Sequence, residues 1–264
     1  MFSRHSQLVI IKNKEWFDKQ KYAGKCVGTI LRDCKEMIEQ KTPNLSLKDL
    51  EAHALDVMKK MDCTPTFKDY KGGGPVPFPN AICTSVNENL VHGVVTDYVL
   101  QEGDVVSVDL GATYDGVIAD AAYTAIYGEP KSAEIPRMLE ICRGSLYAGI
   151  KAAKVGNRIG AIGNAIHKFT KNSGFSLISK YGGHGIDLDV PHASPFIANQ
   201  AETDEGIHIL PGLTIAIEPM LVMGDKKTSV LDDGWTVKAS GVSCHFEHSI
   251  FIEEDNIHIM TEMP

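Results

Sequence analysis

The sequence predicts an α+β domain that spans residues 1–264 and consists of two halves of similar construction around one core. Three observations predict it. Helical and strand-like segments follow in the order helices, strands, helices, strands, so the same order occurs twice. No linker-like or low-complexity segment separates the two halves. The 264 residues can bury a full core, and a hydrophobic fraction of 43% is typical of a globular protein.

The first half opens with two predicted helices and a loop. Apolar residues recur every three to four positions between residues 15 and 40, which is the period of an amphipathic helix. Ser46 followed by Asp49 resembles a capping box at the start of a second helix. The glycine- and proline-rich loop at residues 72–79 lacks the Lys-Ser/Thr of a phosphate-binding loop. We interpret this loop as a flap or an entrance to a site.

Strands and helices then alternate along the rest of the chain. The predicted strands of the first half are residues 82–86, 94–100, 105–110 and 117–126. Ser132 is expected to cap a helix that runs to about residue 154, and residues 159–172 form a further helix that ends at Gly174. The predicted strands of the second half are residues 213–217, 235–239 and 245–252.

Two aspartates flank a turn signal and are the best indication of function. The turn is centred on Asp115-Gly116, and the alternating residues around it predict a β-hairpin. Asp109 and Asp120 are then directly opposite or one diagonal step apart, with their Cβ atoms roughly 5–8 Å from each other. No nearby basic residue neutralises this pair. A divalent cation between the two carboxylates would remove their repulsion.

Three further residues are of the types that bind metals. His184 stands between glycines, and Glu218 and Glu247 lie in apolar, strand-like runs. Burying an unpaired carboxylate is costly, so a metal cluster is the economical explanation for these acids together with Asp109 and Asp120. A single carboxylate in an alternating strand faces solvent more often, and a lone histidine after glycines is more often a turn residue. The hypothesis therefore depends on all five residues together.

Other histidines are weaker candidates. His92 and His192 could each donate a hydrogen bond near a metal site, although a histidine in such a context is more often a surface-loop residue. His245 would share a strand face with Glu247, but nothing else in the sequence gives it a role.

Composition excludes several classes of partner. A net charge of −8 argues against nucleic acid or an anionic membrane surface as the main partner. No apolar run approaches the length of a membrane span, and the apolar stretch near the N-terminus is too short for a secretory signal. The six cysteines are scattered singly, without a CxxC pair. This argues against structural zinc and a disulfide framework, and is typical of a cytoplasmic protein.

These segments, in this order, resemble the methionine aminopeptidases of the creatinase/aminopeptidase family, whose architecture is called the pita-bread fold. The match covers nearly the whole chain, and such an ordered set is far more specific than any single motif. The matching segments besides the hairpin are YAG at 22–24, FP at 78–79, ICTSVNE at 82–88, VHG at 91–93, SLY at 145–147, GHGI at 183–186, PGLT at 211–214, IEPM at 217–220, GWT at 234–236 and EHSI at 247–250.

The resemblance implies a pita-bread fold in which an antiparallel sheet and two pseudo-symmetric α+β halves surround a central dinuclear metal site. Two divalent ions of manganese, cobalt, iron or zinc would be bound. The implied ligands are Asp109, Asp120, His184, Glu218 and Glu247. Asp120 and Glu247 would bridge both ions, Asp109 would hold one ion, and His184 and Glu218 would hold the other.

The resemblance also implies the residues that meet the substrate. His92 and His192 match the two substrate-contacting histidines of the family, and Glu218 would transfer the proton during hydrolysis. The residues that match the pocket for the methionine side chain are Phe78, Cys83, Met220 and Trp235, and Tyr181 is a further substrate-binding residue nearby.

The implied function is a metallo-aminopeptidase that hydrolyses the N-terminal methionine from newly made proteins and peptides through a metal-bridged hydroxide. A related peptidase with proline-directed or altered N-terminal specificity is an alternative on the same fold. A non-catalytic binding module is a third interpretation, against which the presence of all five ligands argues. We expect a cytoplasmic monomer that acts on nascent chains close to the ribosome and uses neither membrane nor nucleic acid as a partner.

Overall fold

Residues 10–264, which this computed structural model describes, form four helices and fifteen strands. The helices are α1 (Lys14–Glu39), α2 (Leu47–Lys60), α3 (Glu134–Ala152) and α4 (Gly160–Thr170). The strands are β1 (Thr64–Pro65), β2 (Cys83–Val86), β3 (Asn89–Val91), β4 (Asp104–Tyr114), β5 (Val117–Tyr127), β6 (Ser176–Leu177), β7 (Gly182–Asp187), β8 (Val190–Ala198), β9 (Thr214–Ile217), β10 (Met220–Val222), β11 (Thr228–Val230), β12 (Val237–Ala239), β13 (Ser243–His245), β14 (Glu247–Ile252) and β15 (Ile257–Ile259). Residues 1–9 lie outside the described residues. They belong to the predicted domain and include part of the N-terminal apolar stretch.

A nine-stranded antiparallel sheet forms the centre of the fold. Its strand order is β1-β4-β5-β14-β9-β7-β8, with β2 paired to β4 and β15 paired to β14. Two three-stranded sheets, β13-β10-β6 and β11-β12-β3, lie beside it. Every one of these pairings is antiparallel, as the family resemblance implied.

The two halves have the same construction, which confirms the predicted order of elements. In the first half, α1 and α2 pack on β4 and β5 through residues such as Ile30, Leu50 and Leu110. In the second half, α3 and α4 pack on β9 and β14 through residues such as Leu146 and Ile250. The halves join where β5 pairs with β14. The sheet therefore runs continuously from one half to the other, and side chains from both halves share one of its faces.

The hairpin and the first two helix starts follow the local sequence signals. Strands β4 and β5 pair along their whole length around Asp115 and Gly116, whose φ values of 48° and 76° are those of a type I′ turn. Ser46 and Asp49 form the predicted capping box, with reciprocal side-chain-to-backbone hydrogen bonds. The Asn13 side chain caps α1 by accepting a hydrogen bond from the backbone N–H of Trp16.

The prediction of a strand at residues 94–100 is wrong. The backbone N–H of Val94 donates to Thr236 Oγ1, and that of Val95 donates to Asn80 Oδ1. Side chains from two other parts of the fold thus take the place of a neighbouring strand.

Smaller differences from the predicted elements also have local causes. Ser132 does not cap α3, because the helix begins one residue later than that cap requires and the Ser132 carbonyl instead accepts from Ile135 N–H. The predicted strand 245–252 is divided into β13 and β14 at Phe246, where the chain passes from one sheet to another. Within residues 10–264, no helix combines the length and the apolar composition that crossing a bilayer requires.

Candidate metal centre and active site

Three of the predicted metal ligands lie on one face of the nine-stranded sheet because of its register. Cys83 pairs with Asp109, Asp109 pairs with Ala122, and Ala122 pairs with Glu247, so these four residues form one row across four strands. Asp120 lies two residues before Ala122 on β5 and therefore points to the same side of the sheet. The diagonal arrangement of Asp109 and Asp120 is one of the two that the hairpin predicted.

A second row brings His184 beside the first. Gly111 pairs with Asp120. The Ser249 hydroxyl joins β14 to Asp120 by accepting from its N–H at 2.8 Å and donating to its carbonyl oxygen at 2.7 Å. Ser249 pairs with Ala216, and Ala216 pairs with His184. Glycine, serine and alanine thus lie between the potential ligands, which leaves space above the sheet.

Steric space explains why glycines stand on either side of His184. A Cβ atom on Gly183 would overlap the carbonyl oxygen of Ala216, and one on Gly185 would overlap that of Ser194. Only glycine therefore allows β7 to approach both neighbouring strands this closely. The Nδ1 atom of His184 lies 3.1 Å from the Gly185 carbonyl oxygen, so its N–H donates there and its Nε2 atom is directed to the carboxylates.

The five predicted ligands form two overlapping groups. Asp109, Asp120 and Glu247 make one group, and His184, Glu218 and Glu247 make the other, with the potential ligand atoms of each group within 4.8 Å of one another. The His184 Nε2 atom lies 3.9 Å from Asp120 Oδ2, 3.8 Å from Glu218 Oε1 and 3.7 Å from Glu247 Oε1. Glu247 belongs to both groups, as a residue that bridges two ions would.

Three of the four acids have a carboxylate oxygen that accepts no hydrogen bond from the described residues. Among the described residues, Asp109 Oδ1, Asp120 Oδ1 and Glu247 Oε1 are buried without a hydrogen bond. Burial and the charges of neighbouring acids raise the pKa values of Asp109 and Glu247 well above their usual range. Burial raises the pKa of Asp120 to about 6. Unpaired hard oxygen atoms around a shared space fit divalent cations, which would compensate this charge.

Glu218 differs from the other three acids. It follows β9 directly and precedes Pro219. Burial raises its pKa, but the imidazoles of His245, His184 and His192 outweigh burial and leave the pKa below its usual value. Glu218 is therefore the acid of the group that ionises most readily.

A cavity of about 510 Å³ lies above these groups, and every predicted site residue lines it. Phe78, Cys83 and Trp235 pack together with Phe67 on one side, and the ring centroids of Phe78 and Trp235 are 5.3 Å apart. Met220 belongs to the adjoining apolar cluster. The cavity thus combines an acidic floor with an apolar side wall. Gly72 and Gly73 also line it, which agrees with the interpretation of their loop as a flap or entrance.

The two predicted substrate-contacting histidines lie beside this space. His192 is at the rim, where its Nδ1 atom lies 2.9 Å from Tyr70 Oη and its ring centroid lies 4.6 Å from that of His184. The His92 ring makes an edge contact with Tyr181 at 6.1 Å between centroids. His92 has a φ of 56°, which is uncommon for a non-glycine residue and is found where the fold fixes a functional side chain. Burial lowers its pKa, so the ring is held neutral.

Sequence reasoning gave no role to two residues of this site. Tyr70 stands just before the flap and reaches His192 on β8 only through the tertiary fold, so no local pattern could have identified it. His245 lies two residues before Glu247, and strand alternation gave the one signal that it shares the face of that acid. Its position against Glu218 depends on the pairing of β10 with β13, which is a long-range contact.

The sequence model of metallopeptidase family M24 matches residues 18–254. The chain belongs to metallopeptidase family M24. It is 36% identical to a methionine aminopeptidase of Mycoplasma capricolum over 97% of this chain and 99% of that protein. It is also 36% identical to methionine aminopeptidase 1 of Bacillus subtilis over 97% of this chain and all of that protein. The crystal structure of a methionine aminopeptidase from Thermotoga maritima matches with a TM-score of 0.90 and 36% identity, and covers 97% of this chain and 100% of that chain.

Membership of M24 confirms the pita-bread fold that the resemblance implied. It also implies that the chain binds divalent metal. Within residues 10–264, the two groups described above could hold it, as could a third group of Asp120, His184 and His192.

Proposed function

We propose that this chain is a dinuclear metallo-aminopeptidase that removes the N-terminal methionine from newly made proteins and peptides. The main observation behind the proposal is that two groups of potential metal ligands lie in one cavity of about 510 Å³, which also has an apolar wall. Relatives 36% identical over nearly their whole length are named methionine aminopeptidases, which supports the same substrate. The proline-directed alternative has no specific observation in its favour.

The proposed metal site uses the four acids and His184. Asp109, Asp120 and Glu247 would hold one cation, and His184, Glu218 and Glu247 would hold the other, with Asp120 close enough to His184 to contribute to both groups. Two divalent cations would supply Lewis-acid polarisation of the scissile carbonyl and a lowered pKa for water. Carboxylate ligands suit manganese, cobalt, iron or zinc.

Glu218 is the residue that we propose to move the proton. Its pKa lies below the usual value because the adjacent imidazoles outweigh burial, so it is ionised and able to accept a proton from the attacking water. The leaving α-amine then requires a proton, and Glu218 is placed to return it. Glu218 lines the cavity, and its Oε1 atom lies 3.8 Å from His184 Nε2, which fits this exchange.

The two histidines at the cavity would orient the peptide. His192 is fixed by Tyr70 and could donate Nε2–H to the scissile carbonyl oxygen as negative charge develops there. His92 is held neutral by burial and could hydrogen-bond the scissile amide nitrogen. Both contacts would position the reacting amide.

The apolar wall would select the first side chain. Phe78, Cys83, Met220 and Trp235 are all nearly buried and offer aromatic and sulfur surfaces. An unbranched thioether makes favourable contacts with such surfaces and can adapt its rotamers to them. We therefore propose methionine as the preferred first residue of the substrate. We also propose that the protein works as a cytoplasmic monomer on chains leaving the ribosome.

Peptide hydrolysis under defined manganese loading tests this proposal. Met-Ala and Met-Gly peptides should be cleaved with kcat/KM at least about tenfold above that of a Leu-Ala peptide, because a shaped apolar pocket discriminates side chains by roughly this factor. An Ala-Pro peptide should not be cleaved. Faster cleavage of Ala-Pro, or no cleavage of the methionine peptides, would show that the proposed substrate is wrong.

A further inference from the structure

His245 is a buried imidazole beside the metal groups, and the mechanism above gives it no contact with metal or substrate. Its side chain is 2% exposed. Among the described residues, neither of its ring nitrogens has a hydrogen-bond partner. A buried polar group without a partner costs free energy, so the site must gain something from this histidine.

The ring lies against the two glutamates on the side away from His184. Its Nε2 atom is 3.4 Å from Glu218 Oε2 and 3.9 Å from Glu247 Oε2. His184 lies near the other oxygen of each acid, at 3.8 Å from Glu218 Oε1 and 3.7 Å from Glu247 Oε1. Each glutamate therefore has the His184 ring near its Oε1 atom and the His245 ring near its Oε2 atom.

This geometry separates the roles of the two imidazoles. The Oε1 side of Glu218 faces His184, which is the side of the proposed cation. The Oε2 atom is then left without a ligand role, and His245 Nε2 is the nearby donor. A closing movement of about 0.5 Å would bring the 3.4 Å pair to an ordinary N–H···O hydrogen bond.

The backbone of His245 is well placed to hold the ring there. Its N–H donates to Thr124 Oγ1 at 3.0 Å, and its carbonyl oxygen accepts from the same hydroxyl at 2.7 Å. His245 also pairs with Met220, two residues after Glu218. The Glu218 and His245 segments are thus joined by a strand pairing, and their side chains meet at a fixed separation.

We propose that His245 is a positioning residue, which donates Nε2–H to Glu218 Oε2 and so fixes this carboxylate for metal binding and proton transfer. Partners of this kind typically change metal affinity or activity by about 10–100-fold when they are removed. The kinetic part of the proposal rests on the proposed function, whereas the metal-binding part does not.

Two substitutions at this position and one matched control test the proposal. His245→Leu removes the donor, and His245→Gln keeps an N–H group. His248→Leu is the control, because His248 is a buried histidine (7% exposed) on the adjacent strand that alternates to the other face and contacts Thr261. Each variant is titrated with Mn²⁺ by calorimetry and assayed with a Met-Ala peptide.

His245→Leu should weaken Mn²⁺ binding and lower kcat by about 10–100-fold each, while KM changes by less than about threefold. His245→Gln should restore most of both losses, and His248→Leu should bind Mn²⁺ as the wild type does. Unchanged Mn²⁺ affinity in His245→Leu would overturn the proposal. Should the wild type fail to cleave methionine peptides, the proposed function falls, but the Mn²⁺ titration still decides the role of His245.

Cobalt-loaded protein distinguishes a positioning residue from a metal ligand. The N–H proton of a ligating imidazole is strongly shifted by paramagnetic Co²⁺ in the proton NMR spectrum. His245→Gln should keep every such signal of the wild type, because only His184 is proposed to bind the ion. Loss of one signal would show that His245 itself is a ligand and would contradict the positioning role.

Discussion

Asp109 and Asp120 point from neighbouring strands to the same face of the sheet, where Asp109 pairs with Ala122 and Asp120 pairs with Gly111. Each has a buried carboxylate oxygen for which the described residues offer no hydrogen bond. This diagonal pair of unpaired acids would destabilise the fold unless cations bind it or protons neutralise it.

Removing Asp109 should abolish turnover without unfolding the protein. Asp109→Ala removes one carboxylate from a group of three acids, so the bound Mn²⁺ should fall towards one ion per chain. The value of kcat/KM should fall by more than about 100-fold, which exceeds the usual effect of removing a residue that only hydrogen-bonds a metal ligand. Metal content by atomic emission and peptide hydrolysis measure these losses. The control is Asp115→Asn in the turn of the same hairpin, where the side chain is 66% exposed. Equal activity of Asp109→Ala and Asp115→Asn would contradict the ligand assignment.

Metal binding should release protons. Metal ligands bind as carboxylates, but burial raises the pKa of Asp120 to about 6 and those of Asp109 and Glu247 well above their usual range. Cations must therefore displace protons from the metal-free site, and apparent Mn²⁺ affinity should rise as the pH rises through about 6. Calorimetric titrations in buffers of different ionisation enthalpy measure the number released. A binding enthalpy at pH 6 that does not depend on the buffer would rule this out.

Neutralising Glu218 should affect chemistry more than substrate binding. Glu218→Gln keeps the shape of the side chain but removes the proton acceptor, so kcat should fall by about 10²–10⁴-fold with a smaller change in KM. Steady-state kinetics on a Met-Ala peptide, with metal content measured on the same sample, separate this effect from metal loss. A variant that retains its metal and its kcat would show that another group carries the proton.

The flap should influence selectivity through a single hydrogen bond. The indole N–H of Trp235 donates to the Val76 carbonyl oxygen at 2.9 Å and thereby ties the flap to the pocket wall. Trp235→Phe keeps an aromatic ring and loses this bond, which is worth about 0.5–1.5 kcal/mol. The preference for methionine over leucine peptides should therefore fall by about 2–10-fold, with unchanged metal content.

The other tryptophan provides the control for this substitution. Trp16 is also buried, but its indole nitrogen has no hydrogen-bond partner among the described residues. Trp16→Phe should leave the ratio of methionine to leucine cleavage as it is. If Trp235→Phe and Trp16→Phe change this ratio equally, the hydrogen bond between Trp235 and Val76 is not the cause of the preference for methionine.

Local chemistry made part of this fold predictable from the sequence. The Asp115-Gly116 turn fixes the register of the hairpin, and the register alone determines that Asp109 and Asp120 share a face. The capping box of Ser46 and Asp49 likewise needs only neighbouring residues. Such signals act within a few residues of each other, so they can be read without the tertiary structure.

Other parts of the fold and of the site could not be predicted, because they depend on contacts between segments that are distant in the sequence. The hairpin of β7 and β8 was not predicted, because β7 contains glycines where close packing requires them and β8 is interrupted by Pro191 and Pro195, so an alternating apolar pattern is absent. Residues 94–100 have a strand-like composition, but side chains of Asn80 and Thr236 bind their backbone. The contact of Tyr70 with His192 joins residues 122 positions apart. No local pattern carries such information.

Anomalous diffraction from crystals soaked with manganese would show directly whether this site binds two metal ions. We expect two manganese peaks in the cavity, one bounded by Asp109, Asp120 and Glu247 and the other by His184, Glu218 and Glu247. Glu247 should contact both peaks. Peaks found only elsewhere on the surface, or none at this site with manganese in excess, would show that these residues do not form a dinuclear metal site.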